Sequence, residues 1–387
     1  MDEGTGSCGM ALEPDALAEI LGRLPPNTRR RLRLVCRHWR HTVDTRTATD
    51  LRPRRAKTIV ATAETAYVYE DLSAAAERPR ELWSHATAAS FKGMTMLGTC
   101  NGLISLCDDR EPGGAITLAN PVTGETLPIP PLPPPSYAGG NRKWHRTYSF
   151  THHPATGRYK IVHVPQNLDR VLVFTLGEAS WRDVPTVYRG ARCDLDAGIV
   201  SADGYMYLAV EGTEARVVSF DLDHESFTSV GPLPAILSRK GSWGLTEVHG
   251  RLGIAFTHIS QDLVRTDVWV MEGVPGNPKW SCWYILQVRR LPHQAASSLW
   301  MHQRHCLAGP HFAHSGKHIL TLGASNFVFI HVPSGNTRNA LHGVVEVNAR
   351  NQGRVIINNA GQNNHSATTK TFCYIETVEQ LSVYKCW

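Results

Sequence analysis

The chain has 387 residues, 42% hydrophobic and 19% charged, and its 40 Lys and Arg against 34 Asp and Glu give a formal net charge of +6. That composition excludes a disordered or coiled-coil chain and leaves room for two or three domains with ample core. No apolar run approaches the roughly 18 residues of a membrane span, and Met1-Asp2-Glu3-Gly4 lacks the basic start of a signal peptide, so the expected location is cytoplasmic or nuclear with no membrane partner.

Residues 1–57 hold 12 basic and 7 acidic side chains, so they carry +5 of the net charge. The remainder is nearly balanced, which argues against nucleic acid as a partner. Nine cysteines, an odd number without a CxxC pair, read as reduced and mostly buried thiols, with no cofactor implied.

Residues 1–10 read as a flexible start. From Asp15, the residues Leu17, Ile20, Leu21 and Leu24 fall at i, i+3, i+4 and i+7, the stripe of a short amphipathic helix that Pro25-Pro26 ends. Asn27 or Thr28 then caps a second helix, in which Leu32, Val35, Cys36 and Trp39 repeat the spacing while Arg29, Arg30, Arg33, Arg37 and Arg40 supply the polar faces. A unit of about 35 residues buries too little apolar area to stand alone, so it should dock on another protein. A nucleic-acid role for the arginines is the weaker reading, because the bases surround the helix and leave Trp39 on the apolar stripe.

Leu12 to Val43 resembles the F-box through Leu17, Ile20, Leu21, Arg23-Leu24-Pro25, Leu32, Val35-Cys36-Arg37 and Trp39-Arg40. Two positions depart from the family pattern: Pro14 comes one place late, and Arg29 stands where leucine is usual. The resemblance implies a helical domain of three short helices over residues 11–45. It also implies docking on a Skp-type adaptor, and through it on a cullin-RING ubiquitin ligase. Leu12, Leu17, Ile20, Leu21, Leu24, Pro25, Leu32, Val35, Cys36 and Trp39 are the expected adaptor-binding residues. Residues 46–57, ending in Arg52-Pro53-Arg54-Arg55-Ala56-Lys57, read as a basic linker.

Over 58–387 the period switches to alternation and short apolar runs between turn residues, the pattern of an all-β domain. IVATA, GLISL, AITLA, YKIVHV, VLVFTL, GIVSADGYMYLAV, ARVVSFDL, RLGIAF, DVWVM, WYILQV, KHILTLG, FVFIHV, RVIIN and SVYKCW are the strand candidates. Asn101-Gly102, Asp203-Gly204, His249-Gly250 and Ser315-Gly316 each precede a strand. Gly102 to Gly204 spans 102 residues, Gly204 to Gly250 spans 46 and Gly250 to Gly316 spans 66, which suits degenerate propeller blades of roughly 40 to 50 residues. A propeller also removes exposed sheet edges, with SVYKCW expected to close the ring beside IVATA; a sandwich pair is the runner-up.

Several fragments, in order, resemble the F-box-associated domain of plants: Leu97 to Leu103, Asn120-Pro121 through Pro128, Tyr159 to Val162, Ser180-Trp181-Arg182, Ser219 to Leu222 and Asp267 to Met271. The fold class is therefore α+β multidomain, a small all-α F-box followed by a large all-β, propeller-like domain. The resemblance implies a non-catalytic subunit that recruits a protein substrate, whose binding residues the sequence does not mark.

No GxSxG, HExxH, GxGxxG, P-loop or CxxC signature appears. His302, His305, Cys306, His311 and His314 are the densest set of metal-ligand types, the basis of an alternative reading as a metal-dependent propeller enzyme, with a histidine-bearing surface loop as the plainer account. A stand-alone binding propeller is the other alternative. Asp221-Leu222-Asp223-His224-Glu225 lacks the glycine and length of a calcium loop and reads as a hairpin end. The prolines from Pro128 to Pro135 read as a stiff connection rather than a groove ligand.

Overall fold

The computed structural model describes residues 14–23, 32, 38–39, 42, 57–61, 65–70, 80–84, 93–134, 143–153, 156–212, 214–238, 241–260, 263–289, 311–313, 318–322, 328–331, 343–347 and 370–385. The helix α1 (Pro14–Arg23) precedes the sheets, and Leu32, His38, Trp39 and Thr42 are helical as well. The strands follow as antiparallel meanders. The first three are β1 (Lys57–Ala61), β2 (Thr65–Tyr69) and β3 (Arg80–Ser84). Then come β4 (Met94–Cys100), β5 (Leu103–Asp108), β6 (Ala115–Ala119) and β7 (Thr126–Pro128), followed by β8 (Tyr148–His152), β9 (Tyr159–His163), β10 (Arg170–Thr175) and β11 (Arg182–Pro185). The next group is β12 (Cys193–Ala202), β13 (Tyr205–Val210), β14 (Arg216–Asp221) and β15 (Phe227–Val230). After it stand β16 (Ser242–Val248), β17 (Arg251–Ile259), β18 (Leu263–Val274) and β19 (Asn277–Arg289). The last are β20 (His311–Ala313), β21 (His318–Leu322), β22 (Val328–His331), β23 (Gly343–Val347) and β24 (Lys370–Tyr374).

Among the described residues, five sheets have four or more strands and a sixth, β20-β21-β22, has three; β23 adds to the fifth sheet in parallel with β19. Each sheet begins at an inner strand. β24, β4, β8, β12, β16 and β20 neighbour one another in that order, and β20 returns to β24. This closed radial arrangement is a β-propeller, and the sandwich reading is set aside.

Radial stacking explains why strands such as β5 and β9 are buried along their whole length. The third sheet is covered on both faces, so alternate residues enter different cores. On β9 and β10, Tyr159, Ile161, Leu172 and Phe174 join the core shared with the second sheet, while Val162, Val171 and Val173 join the core shared with the fourth. The molecule therefore has a series of cores between sheets rather than one.

Ring closure differs from the expectation in its residues. β24, the segment KTFCY, pairs antiparallel with β1 from Lys57↔Tyr374 to Ala61↔Lys370. The first three residues of SVYKCW instead belong to a 3₁₀ turn, Leu381–Tyr384. The physical reason is its period: Leu381 and Tyr384, three apart, are both buried, and a 3₁₀ turn places i and i+3 on one side where a strand would put them on opposite faces. RVIIN lies outside the described residues.

The dipeptide turns mark the innermost hairpins of the second, fourth and fifth sheets. Asn101 (φ 48°), Asp203 (φ 51°) and His249 (φ 52°) are each followed by a glycine near φ 82° (Gly102 and Gly204) or 81° (Gly250), the two consecutive left-handed residues that a tight hairpin turn requires. In the third sheet the same hairpin is longer, from His152 to Tyr159, which is why the interval from Gly102 to Gly204 spans two blades. Ser315-Gly316 lies outside the described residues.

Candidate functional site

α1 starts at Pro14, so the displaced proline occupies the first helical position, where its fixed φ and missing N–H are tolerated. Asp15 lies in the first turn, favourable against the helix dipole. Leu17 and Leu21 are fully buried and pack against Leu32 and Trp39. Ile20 is 46% exposed. The stripe read from sequence is thus divided: the i, i+4 pair faces the interior of the helical unit and Ile20 faces out. Thr42 closes the unit by donating its hydroxyl to the His38 carbonyl at 3.0 Å. Leu12, Leu24, Pro25, Arg29, Val35 and Cys36 lie outside the described residues.

The chain enters the propeller at Lys57, on the face that carries the inner hairpin turns. The Lys57 ammonium lies 2.5 Å from Glu70 and 2.9 Å from Glu376, and Arg80 lies 2.6 Å from Glu376. Burial opposes the charge on Lys57, but the two carboxylates outweigh it and hold the pKa above its ordinary value.

Between the third and fourth sheets, the buried Lys160 donates to the Leu222 carbonyl and to Glu225 at 2.8 Å; Glu225 also pairs with Arg182. Burial penalises the Glu225 carboxylate, yet the two cations hold its pKa below the usual range. Sequence reading missed this cluster, because its members are 65 and 43 residues apart.

On the opposite face, Asp109 accepts from the backbone N–H of His145 at 2.8 Å and pairs with its imidazole, and Arg146 pairs with Asp196. Lys370, at the start of β24, has its pKa lowered to about 8 by burial. These are ties between connections and inner strands, with cations and carboxylates in near balance.

Of the histidine and cysteine cluster, His311 begins β20, while His302, His305, Cys306 and His314 lie outside the described residues. No group of three or more metal-ligand side chains occurs among the described residues. Asp221 accepts from the backbone N–H of Asp223 at 2.8 Å and of His224 at 3.0 Å, the turn-forming pattern of a hairpin end. In the proline stretch Ile129 and Leu132 are buried in the core between the second and third sheets, so the segment up to Pro134 is a packed connection. Pro135 lies outside the described residues. Cys100, Cys107, Cys193 and Cys373 are free thiols. Burial pushes the thiols of Cys100 and Cys193 up to about 12, which leaves them protonated and unreactive at neutral pH. Cys107 and Cys193 are buried as expected, whereas Cys373 is exposed.

One chain thus carries a small helical unit followed by a β-propeller. The F-box domain model matches residues 11–48 and the F-box associated beta propeller domain model matches residues 71–331, and the chain belongs to the F-box associated propeller family. It is similar to an F-box/LRR-repeat/kelch-repeat protein of Arabidopsis thaliana, 27% identical over 229 residues, 57% of this chain and 60% of the relative. A second relative, an F-box protein of the same plant, is 22% identical over 328 residues, 73% of this chain and 74% of that one. Among solved structures, TolB from Acinetobacter baumannii matches with a TM-score of 0.41 and 13% identity, covering 76% of this chain and 66% of that one.

Proposed function

We propose that this chain is the substrate-recognition subunit of a Skp-cullin-F-box ubiquitin ligase. Its helical module docks on a Skp-type adaptor, its propeller captures a protein substrate, and the transfer chemistry belongs to other subunits. The observation that carries the reading is the presence of both family domains, in that order, on one chain. The division of α1 supports it: Leu17, Leu21, Leu32 and Trp39 form a platform, and Ile20 is presented outward for a partner. The working compartment is then the cytoplasm or nucleus.

Mechanistically, the chain holds substrate near the transfer machinery at an effective concentration on the order of millimolar, so the encounter becomes nearly intramolecular. The test is co-purification of the full chain with a Skp-type adaptor at physiological salt, where the basic segment is screened. A stoichiometric complex is expected. A folded chain that leaves the adaptor in the flow-through would overturn the reading in favour of a stand-alone binding propeller.

A further inference from the structure

We infer that residues 375–385 form a strap that locks the ring on the face where the chain enters, with the Glu379 carboxylate as its bolt. After β24 the chain does not return to a sheet but crosses three of them. Glu376 is held by Lys57 and Arg80 of the first sheet. The Asn120 side-chain amide donates to the Glu379 carbonyl at 2.7 Å, and the Leu381 N–H donates to the Glu125 carboxylate at 2.6 Å, both in the loop between β6 and β7. From the third sheet the Tyr159 hydroxyl donates to Glu379 Oε2 at 2.8 Å, while the strap's own Tyr384 hydroxyl donates to Oε1.

The segment has two faces. Thr377, Glu379, Leu381 and Tyr384 are buried, Leu381 and Tyr384 within the core between the second and third sheets, whereas Ile375, Val378 and Val383 are exposed. Contact is close enough that a Cβ built on Gly102 would lie 2.2 Å from the Ile375 carbonyl oxygen. A buried carboxylate is tolerated only while donors satisfy it, and removing one donor raises the cost of keeping it buried. Because one donor comes from the third sheet and another from the strap, seating the strap and fixing the spacing of the second and third sheets are one event. This holds whether or not the helical module engages a ligase.

Hydrogen exchange of the full chain, read by mass spectrometry, tests it. In the wild type the strap amides should be protected, led by Leu381. Glu379→Ala should raise strap exchange by about 100-fold and lower Tm by roughly 5 °C, with β13–β14 and β17–β18 unchanged. Should that variant fail to fold, Tyr384→Phe removes one hydroxyl and should raise strap exchange by about 10-fold on its own. Strap amides that exchange at free-peptide rates in the wild type, or rates unmoved by either variant, would overturn the inference.

Discussion

The indole N–H of Trp181 donates to the Pro130 carbonyl at 2.7 Å, tying the third sheet to the segment that leads into it. The same tie recurs two sheets on, where Trp280 donates to the Pro232 carbonyl at 2.9 Å. Each acceptor stands two residues beyond an outer strand, after Pro128 of β7 and after Val230 of β15. In each case an indole N–H pins an incoming connection to its own blade, in blades whose sequences otherwise differ.

Removing the N–H while keeping an aromatic ring isolates this contact. Trp181→Phe should lower stability by about 1 to 2 kcal/mol, because the Pro130 carbonyl is left in a partly buried site, and Trp280→Phe by about 0.5 kcal/mol, because its contact is exposed. The double variant should be additive within about 0.5 kcal/mol, since the ties belong to different sheets. Urea unfolding of the four proteins checks this; equal losses from the two single variants would contradict the burial argument.

Two glycines of matching backbone separate strain from crowding. Gly102 has φ +82° and Gly250 φ +81°, but an added Cβ at Gly102 meets the Ile375 carbonyl and Thr377, whereas at Gly250 nothing lies within 4 Å. Gly250→Ala should therefore cost only the left-handed backbone, about 1 kcal/mol. Gly102→Ala adds a backbone collision under the strap and should cost about 3 kcal/mol or more. Denaturant midpoints of the two variants decide it, and similar midpoints would show that the strap yields freely.

Local signals account for what could be read directly from the residues. Runs such as VLVFTL and the Asn-Gly, Asp-Gly and His-Gly turns state their conformations within a few residues. The outer strands escaped notice because an edge needs pairing on one side only and is short, polar or proline-bearing, as in TLP of β7 and RDVP of β11. β24 escaped because its partner, β1, is over 300 residues away, and no local pattern favours KTFCY over SVYKCW as the closing strand. The strap was equally hidden, since Tyr159 and Glu379 are 220 residues apart. In α1, periodicity identified the apolar stripe but placed Ile20 with Leu17 and Leu21, because an i, i+3, i+4 stripe is wide enough for its edge to face solvent.

His163 should make stability depend on pH. Its ring is 1% exposed, neither nitrogen has a hydrogen-bond partner, and it lies against Tyr148 and Trp144 with centroids at 4.8 and 6.3 Å. Burial alone lowers its pKa from 6.5 to about 4. The folded state thus favours the neutral ring, so the contribution of this group is fully present above pH 6.5 and is lost as pH falls towards 4, by about 3 kcal/mol in all. His163→Leu has no ring to protonate and leaves no polar atom unpaired, so it should raise stability at pH 7 by about 1 kcal/mol and flatten the profile across that window. Paired unfolding curves at pH 7, 5.5 and 4 test this, and parallel profiles for the two proteins would exclude His163 as the titrating group.

On the proposed adaptor docking, the division of α1 predicts that substitutions at neighbouring Ile20 and Leu21 weaken binding for different reasons. Ile20→Asp changes an exposed side chain, so thermal unfolding and helical circular dichroism should stay within about 0.5 kcal/mol of wild type, while adaptor affinity falls by about 100-fold as an outward apolar anchor is lost. Leu21→Asp instead forces a charge among Leu17, Leu32 and Trp39, and Trp39→Ala removes packing worth about 3 kcal/mol from the same cluster. Both should lose binding because the helical unit melts, with a drop in helical signal and an unchanged unfolding transition of the propeller. Adaptor titrations beside circular dichroism of the three variants separate the mechanisms. Wild-type affinity in Ile20→Asp would move the contact to another face of the unit, and a fully helical Leu21→Asp would show that the buried pair does not hold the unit together.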